Sequence, residues 1–535
     1  FNTAGRSIKT GLTASVIVSQ WTWAATLLQS SNVAFNYGLS GPFWYASGAT
    51  IQVLLFGILA IETTSSLAGA LKCCRVLFVS CAVLLHLVFV SFASSLCLTL
   101  RMCLCGCSPP LTRLCFFFPV NSPGNMYTKL QELVELDDCT YGPNSEFELN
   151  ACGPVDGNQE GSYLTMLSRE GFIFGIINIV GNFGTVFVDQ SYWQSAIAAK
   201  PQSSHKGYLL GGMCWFTIPF ALATSLGLAA IAMQLPLTGD EAGSGLVPPA
   251  TALFVLGKGG ATLILIMLFM AVTSTGSAEL IAVSSLISYD VYRAYINKEA
   301  TGEQILKVSR ITVFVFGAFM GVLSIILNEI GLNLGWVYLF MGVVIGSAVV
   351  PVSLVLTWKK ATAKGAMAGA IIGQVCAVIG WLVSAKTLED EITLTTTGEN
   401  FPMLTGNLIA ICLSGIICIG VSLADPDDYD WETTKNIAMV ETFDNAWHTD
   451  ADYNDEDLTK AKSWIMKVGL AFTVVIVILW PVLSLPAGVF SEGYFNFWVA
   501  LSILWGIIAT LFVVFLPLYE SKDAMINVLK GMCGG

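Results

Sequence analysis

Apolar runs of about 20 residues recur along the whole of this 535-residue chain, and each can cross a hydrocarbon core of about 30 Å as a helix. The runs are continuous and do not alternate with a period of two, so they read as helices and not as barrel strands. Twelve spans are predicted, at residues 11–30, 43–62, 76–100, 172–197, 209–235, 261–292, 311–330, 336–358, 366–384, 404–423, 464–485 and 495–518. The predicted fold class is therefore all-α, a polytopic membrane protein. Only 12% of residues are charged, roughly half the share of a soluble domain.

The net charge of −12 sits mostly in polar stretches at residues 132–160, 389–399 and 425–457, which argues against nucleic acid as a partner. Short loops carrying Lys200 and Lys206, then Arg293, Lys298, Lys307 and Arg310, then Lys359, Lys360 and Lys364 are separated by pairs of spans. They share a side, and their charge assigns it to the cytoplasm. By the same parity Arg6, Lys9 and the acidic stretch 425–457 lie inside, and 122–170 and 387–402 lie outside. Position 1 is Phe with no cleavable signal pattern before the first span, so the natural start is expected upstream.

Eight of the fifteen cysteines fall between Leu71 and Pro119. Most of the fifteen lie in apolar runs, where a thiol behaves as a small hydrophobe. No metal-ligand spacing emerges. Cys139 and Cys152 flank a polar loop and could form a disulfide if that loop faces an oxidising side. His86, His205 and His448 are scattered, and Gly257-Lys258-Gly259-Gly260 lacks the spacing of a phosphate loop. The reading is of a protein that is not an enzyme and needs no cofactor.

Three spans are too polar to face lipid. Residues 19–32 read SQWTWAATLLQSSN, residues 181–194 GNFGTVFVDQSYWQ, and residues 271–280 AVTSTGSAEL. Such helices turn into a protein interior or a wet cavity, and their hydroxyls allow local unwinding that frees carbonyls for a cation. Ser274 and Thr275, one turn after Ala271, can offer oxygens to Na+; hydroxyls bonded back to their own helix are the bland alternative. Asp189 is a functional candidate because an unpaired carboxylate there is costly. Glu279 is a proton-sensitive or structural carboxylate.

With GPFWYASG at 41–48, GIINIVGNFGTVFVDQ at 175–190, SAELIAVSS at 277–285 and YLFMG at 338–342, these stretches resemble the high-affinity urea active transporters of plants, fungi and algae, within the sodium:solute symporters. The likeness covers residues 1–68 and 161 to at least 431. It implies a LeuT-like fold of two inverted five-helix repeats holding substrate at the midplane beside broken helices. By position it implies a cation site of Ser19 and Thr22 carbonyls completed by Ala271, Ser274 and Thr275, for Na+ or, as in plant members, with H+ as coupling ion.

Urea offers four N–H donors and one carbonyl acceptor, and an unpaired polar group in a dry site costs about 1–3 kcal/mol. Gln20, Thr26, Asn182, Thr185 and Asp189 supply the matching inventory, with Trp21 or Trp23 to sandwich the flat molecule. The predicted function is import of urea coupled to an H+ or Na+ gradient by alternating access, in the plasma membrane. A non-transporting solute sensor, an inactive paralogue, and a symporter for a polyamine or other small amine stay open as alternatives.

The likeness fails in one place. Three helices of the first repeat are expected between Glu62 and Gly161, and only residues 76–100 read as a span. The domains predicted are 1–65, the first two core helices; 66–120, an aberrant Cys-rich apolar segment such as a shifted reading frame would give; 121–170, an extracellular loop; 171–360, the second-repeat core; 361–424, accessory helices; 425–461, an acidic cytoplasmic loop; and 462–535, the C-terminal helices and tail.

Overall fold

The computed structural model describes residues 8–66, 122–136, 140–141, 147–148, 153–430 and 455–533. Among these, ten helical columns are long and apolar enough to cross a membrane. Eleven of the twelve predicted spans fall on described residues, and each meets a helix. The span at 76–100, nearly all of the aberrant segment and the Cys139–Cys152 pairing lie outside the described residues. One antiparallel pair of two-residue strands, Thr140–Tyr141 with Phe147–Glu148, is the exception to helix among them.

The first predicted span is two helices, α1 (Thr10–Trp21) and α2 (Ala24–Tyr37), separated by Thr22 and the extended Trp23. Hydroxyls replace the interrupted ladder here. Thr22 Oγ1 donates to the Val18 carbonyl at 2.5 Å, Thr26 Oγ1 donates to the Trp21 carbonyl at 3.1 Å, and the Trp23 amide donates to Thr26 Oγ1 at 3.2 Å. Trp215 Nε1 adds a second bond to the Trp21 carbonyl, at 2.8 Å. An intact helix follows, α3 (Ser40–Ser66), and then an outer helix the sequence reading placed in a loop, α4 (Pro123–Val134), capped by Ser122.

The span predicted at 172–197 is broken twice, into α5 (Arg169–Gly181), α6 (Gly184–Phe187) and α7 (Gln190–Ala198). Thr185 Oγ1 donates to the freed Asn182 carbonyl at 2.6 Å, and Trp193 Nε1 donates to the Phe187 carbonyl at 2.9 Å. Twelve residues of α1 and thirteen of α5 each cover roughly 18–20 Å. Each break therefore falls well inside a hydrocarbon core of about 30 Å.

Beyond them run α8 (Pro201–Trp215), which continues through a π segment into α9 (Thr224–Ala232), and α10 (Val247–Ser285), which ends in a π segment to Ile296. Gly257 kinks α10 with φ 65°, four residues before the start of the span predicted at 261. Then follow α11 (Gly302–Glu329), α12 (Leu334–Ile345), α13 (Val349–Thr357), α14 (Ala363–Glu389), α15 (Asn400–Ala424), α16 (Asp455–Val474) and α17 (Glu492–Cys533).

Backbone contacts sort the loops onto two ends as parity predicts. Ile8 bridges Ala199, and the Tyr429 amide donates to the Lys359 carbonyl at 3.1 Å beside a Lys359–Asp428 ion pair of 2.7 Å. At the opposite end, the Leu39 amide donates to the Tyr163 carbonyl and the Phe490 amide to the Leu164 carbonyl.

α5 and α12 touch through glycines: a Cβ on Gly181 or Gly342 would collide with Asn407 Oδ1 from α15 and with the facing backbone. Overpacking of this kind costs about 1–3 kcal/mol. Gly342→Val is expected to lower the melting temperature of the detergent-solubilised protein more than Gly276→Val, whose Cβ meets open space; equal melting of the two variants would refute the tight crossing.

Candidate functional site

The breaks in α1/α2 and in α5–α7 bring three groups of polar side chains together. The first joins α1 to α10. Ser19 Oγ is hydrogen-bonded to Ser274 Oγ, and Thr275 Oγ1 donates to the Gln20 carbonyl at 3.3 Å. Ser19 and Thr22 are buried, as is Ala271 one turn before Ser274. Ser19, Gln20, Ser274 and Thr275 thus meet where α1 ends against α10, with Thr22 capping α1. The Thr22 hydroxyl is turned back onto its own helix.

The second group surrounds Asn178 on α5, which sequence reasoning did not single out. Its Nδ2 donates to the Trp44 and Tyr45 carbonyls at 3.2 and 3.0 Å. Its Oδ1 accepts from Asn182 Nδ2 at 2.8 Å and from the Tyr338 hydroxyl at 2.7 Å, and its carbonyl accepts from Gln52 Nε2 at 2.6 Å. The Tyr45 hydroxyl lies beside Thr26 and Tyr338. Predicted residues Thr26, Asn182 and Thr185 are all buried here.

The rings of Trp21 and Trp23 meet edge to face, 5.4 Å apart at 71°. Tyr45 and Tyr338 are stacked instead, 5.2 Å apart at 22°, with Phe174 alongside. Tyr45 and Tyr338 stand inside two of the motifs that carried the resemblance; inside apolar runs, a tyrosine has no hydropathy signature to separate a site from packing.

The third group is Asp189, Ser191 and Glu279. Asp189 caps α7, its Oδ1 accepting from the Ser191 amide at 2.7 Å, and Ser191 Oγ donates to Glu279 Oε1 at 3.1 Å. Gln20 Oε1 accepts from Ser195 Oγ at 3.0 Å on the same short helix. Gln20 and Asp189, both predicted for substrate, thus engage α7 and α10 and not the Asn178 group. Trp21 links the clusters, with Tyr192 at 5.6 Å and Trp215 at 5.9 Å.

At this junction Trp21 Nε1 is buried without a hydrogen-bond partner, and the Trp23 indole lies beside the buried Tyr192 hydroxyl. A donor left unsatisfied costs about 1–3 kcal/mol. A cavity of about 780 Å³ lies elsewhere, between Trp44, Phe172 and the apolar residues 477–485, and one of about 360 Å³ lies under Phe183 and Phe187.

The sodium:solute symporter family profile matches residues 152–373. A urea-proton symporter of Oryza sativa is 49% identical over 99% of this chain and 81% of its own length. A probable urea active transporter of Schizosaccharomyces pombe is 36% identical, and the urea active transporter of Saccharomyces cerevisiae 32%, each over 99% of this chain and 87% of its own length. The alignment with the rice protein runs over 587 positions against 535 residues here, so that relative carries residues this chain lacks. A Na+-coupled sialic acid symporter solved in a substrate-bound outward-open state superposes with a TM-score of 0.46 and 13% identity, over 80% of this chain and 93% of its own.

Asn178→Ala would take the shared acceptor from the Tyr338 hydroxyl and the Asn182 amide, at about 1–3 kcal/mol for each group left unpaired. Tyr338→Phe leaves the Asn182 bond in place. Thermal melts should show a much larger loss for Asn178→Ala than for Tyr338→Phe, and a reversed order would remove Asn178 as the hub.

Proposed function

The chain belongs to the sodium:solute symporter family, and we propose on that premise that it imports urea against its gradient, coupled to H+ or Na+, across the plasma membrane. It works without covalent chemistry and without a cofactor. The observation that carries this reading is the meeting of two interrupted helices, with Ser195 on Gln20 and Tyr192 against Trp21, beside the bonds that join Ser19 to Ser274 and Thr275 to the Gln20 carbonyl. In lipid, freed carbonyls and buried hydroxyls persist where they line a path for a polar solute or ion.

In this proposal the coupling cation takes oxygens from Ser19, Thr22, Ala271, Ser274 and Thr275, a set suited to a hard ion such as Na+. Urea lies between the breaks. Its carbonyl oxygen matches the unpartnered N–H group of Trp21, with the Trp23 indole beside it, and its amides match acceptors on Gln20, Thr26, Asn182, Thr185 and Asp189. The stacked Tyr45 and Tyr338 rings give the planar molecule a wall of its own shape. Alternating access then opens and closes the two broken helices around it, in the inverted-repeat arrangement of the LeuT-like fold.

Uptake of radiolabelled urea by cells expressing the full chain, with Na+ replaced by choline and external pH varied, tests the reading. Accumulation above equilibrium that collapses with the driving gradient is expected. Binding without accumulation would favour a sensor, and competition by spermidine would favour an amine substrate. Ser274→Ala should raise the half-saturating concentration of the driving ion about ten-fold, the equivalent of ~1.4 kcal/mol. Asp189→Asn should abolish uptake with surface expression intact; unchanged uptake would remove Asp189 from the transport site.

A further inference from the structure

The transport reading gives Glu279 no role, yet it is the acid that α10 presents to the interrupted helix. Asp189 and Glu279 approach one another across Ser191, which bonds to both. Ionised carboxylates only accept, so two acids held this close can bond to each other only with a proton between their oxygens. Ser191 clips both partners, its amide to Asp189 at 2.7 Å and its hydroxyl to Glu279 at 3.1 Å. Among the described residues, no lysine, arginine or histidine makes an ion pair with either acid.

The surroundings add no compensating charge. From α1 come Ser19 and Gln20, bonded to Ser274 and Ser195, and from α3 comes Phe56 against Tyr192. The ionisable groups that feel the acids are Tyr192 on α7 and Tyr208 on α8. The Tyr192 hydroxyl is buried, beside the Trp23 indole and within electrostatic reach of both acids. Tyr208 is engaged, donating to the Tyr192 carbonyl at 2.7 Å. Asp290 and Arg293 lie about three turns or more further along the α10 column, toward its cytoplasmic end.

We propose that Asp189 and Glu279 together form the proton-binding site of the transport cycle, separate from the oxygen set at Ser19, Ser274 and Thr275. This rests on the transport reading above. With one proton shared, α7 is held to α10; with the proton gone, two adjacent anions repel and the contact opens. The proton arrives from the outer solution on a carboxylate oxygen and leaves to the cytoplasm as the helices part, so one H+ is carried with no bond made or broken elsewhere.

The test measures urea-evoked inward current and the pH profile of urea uptake in cells expressing the full chain. Glu279→Gln keeps a hydrogen bond to Asp189 with no proton to exchange. Its current should fall about ten-fold, and its uptake should lose its dependence on external pH. Ser191→Ala removes only the hydroxyl that supports the ionised form of Glu279, so the midpoint of the profile should move to higher pH. A wild-type profile and current in both variants would overturn the proton site. A wild-type chain that accumulates no urea overturns the transport reading instead. Dicyclohexylcarbodiimide, which attacks protonated buried carboxyls, then decides on the pair alone: mass spectrometry should find Glu279 or Asp189 modified in mild acid, and neither being modified overturns the proposal.

Discussion

Every feature of the candidate site follows from one constraint. A backbone amide or carbonyl released from its helix inside a bilayer has no water to turn to, and leaving it bare costs several kcal/mol. Interrupting α1/α2 and α5–α7 inside the membrane therefore obliges the surrounding side chains to supply donors. Thr26 and Trp215 converge on the Trp21 carbonyl, Thr275 on that of Gln20, Thr185 on that of Asn182, and Trp193 on that of Phe187. The polar residues that look misplaced in an apolar sequence are the ones that make the breaks possible. The same groups can exchange a protein partner for a bound solute or ion at little net cost, because they are already desolvated.

Burial is divided unevenly along the chain, and the division follows this constraint. The apolar window of Ser40–Ile61 is 89% buried and that of Ser203–Ala232 83%, whereas those of Gly302–Glu329 and Val247–Ile296 are 6% and 17% buried. α3 and α8 are hemmed in by the interrupted helices. α10 and α11 show wide apolar faces, with Phe269, Phe314 and Phe319 exposed, as suits surfaces whose solvent is hydrocarbon. α10 is thus one helix with two characters, its outer flank turned away from protein and its inner flank carrying Ser274, Thr275 and Glu279.

Hydropathy made the spans legible and hid the breaks. A window of about 20 residues averages side chains, so it passes over Thr22, Trp23, Asn182 and Asp189 without registering that the backbone has left the helix. Composition did flag the right stretches, since residues 19–32 and 181–194 are the two that break. The hub escaped notice for a different reason. Asn178 is one amide in an apolar run, and its importance lies in partners from α3 and α12, far away in sequence. Gln20 and Asp189 were assigned to substrate by chemical type, whereas their observed partners are Ser195 and Ser191, both on the nine-residue α7. Which helix a polar side chain meets is a tertiary fact, and no local pattern encodes it.

That short helix is where the parts of the site become one device. α7 hangs between the break at Asp189 and the turn at Ala199, so few backbone bonds tie it to the rest of its column. Ser195 reaches Gln20 on α1, Ser191 reaches Glu279 on α10, and the Tyr192 ring packs on Trp21. Gln20 in turn is fixed to Thr275 through its carbonyl. A displacement of α7 therefore disturbs the carboxyl pair, the Trp21 ring and the oxygens around Ser274 at once. Coupling between an ion and a solute demands that neither site change state without the other, and a single stiff element bonded to both is a direct way to meet that demand.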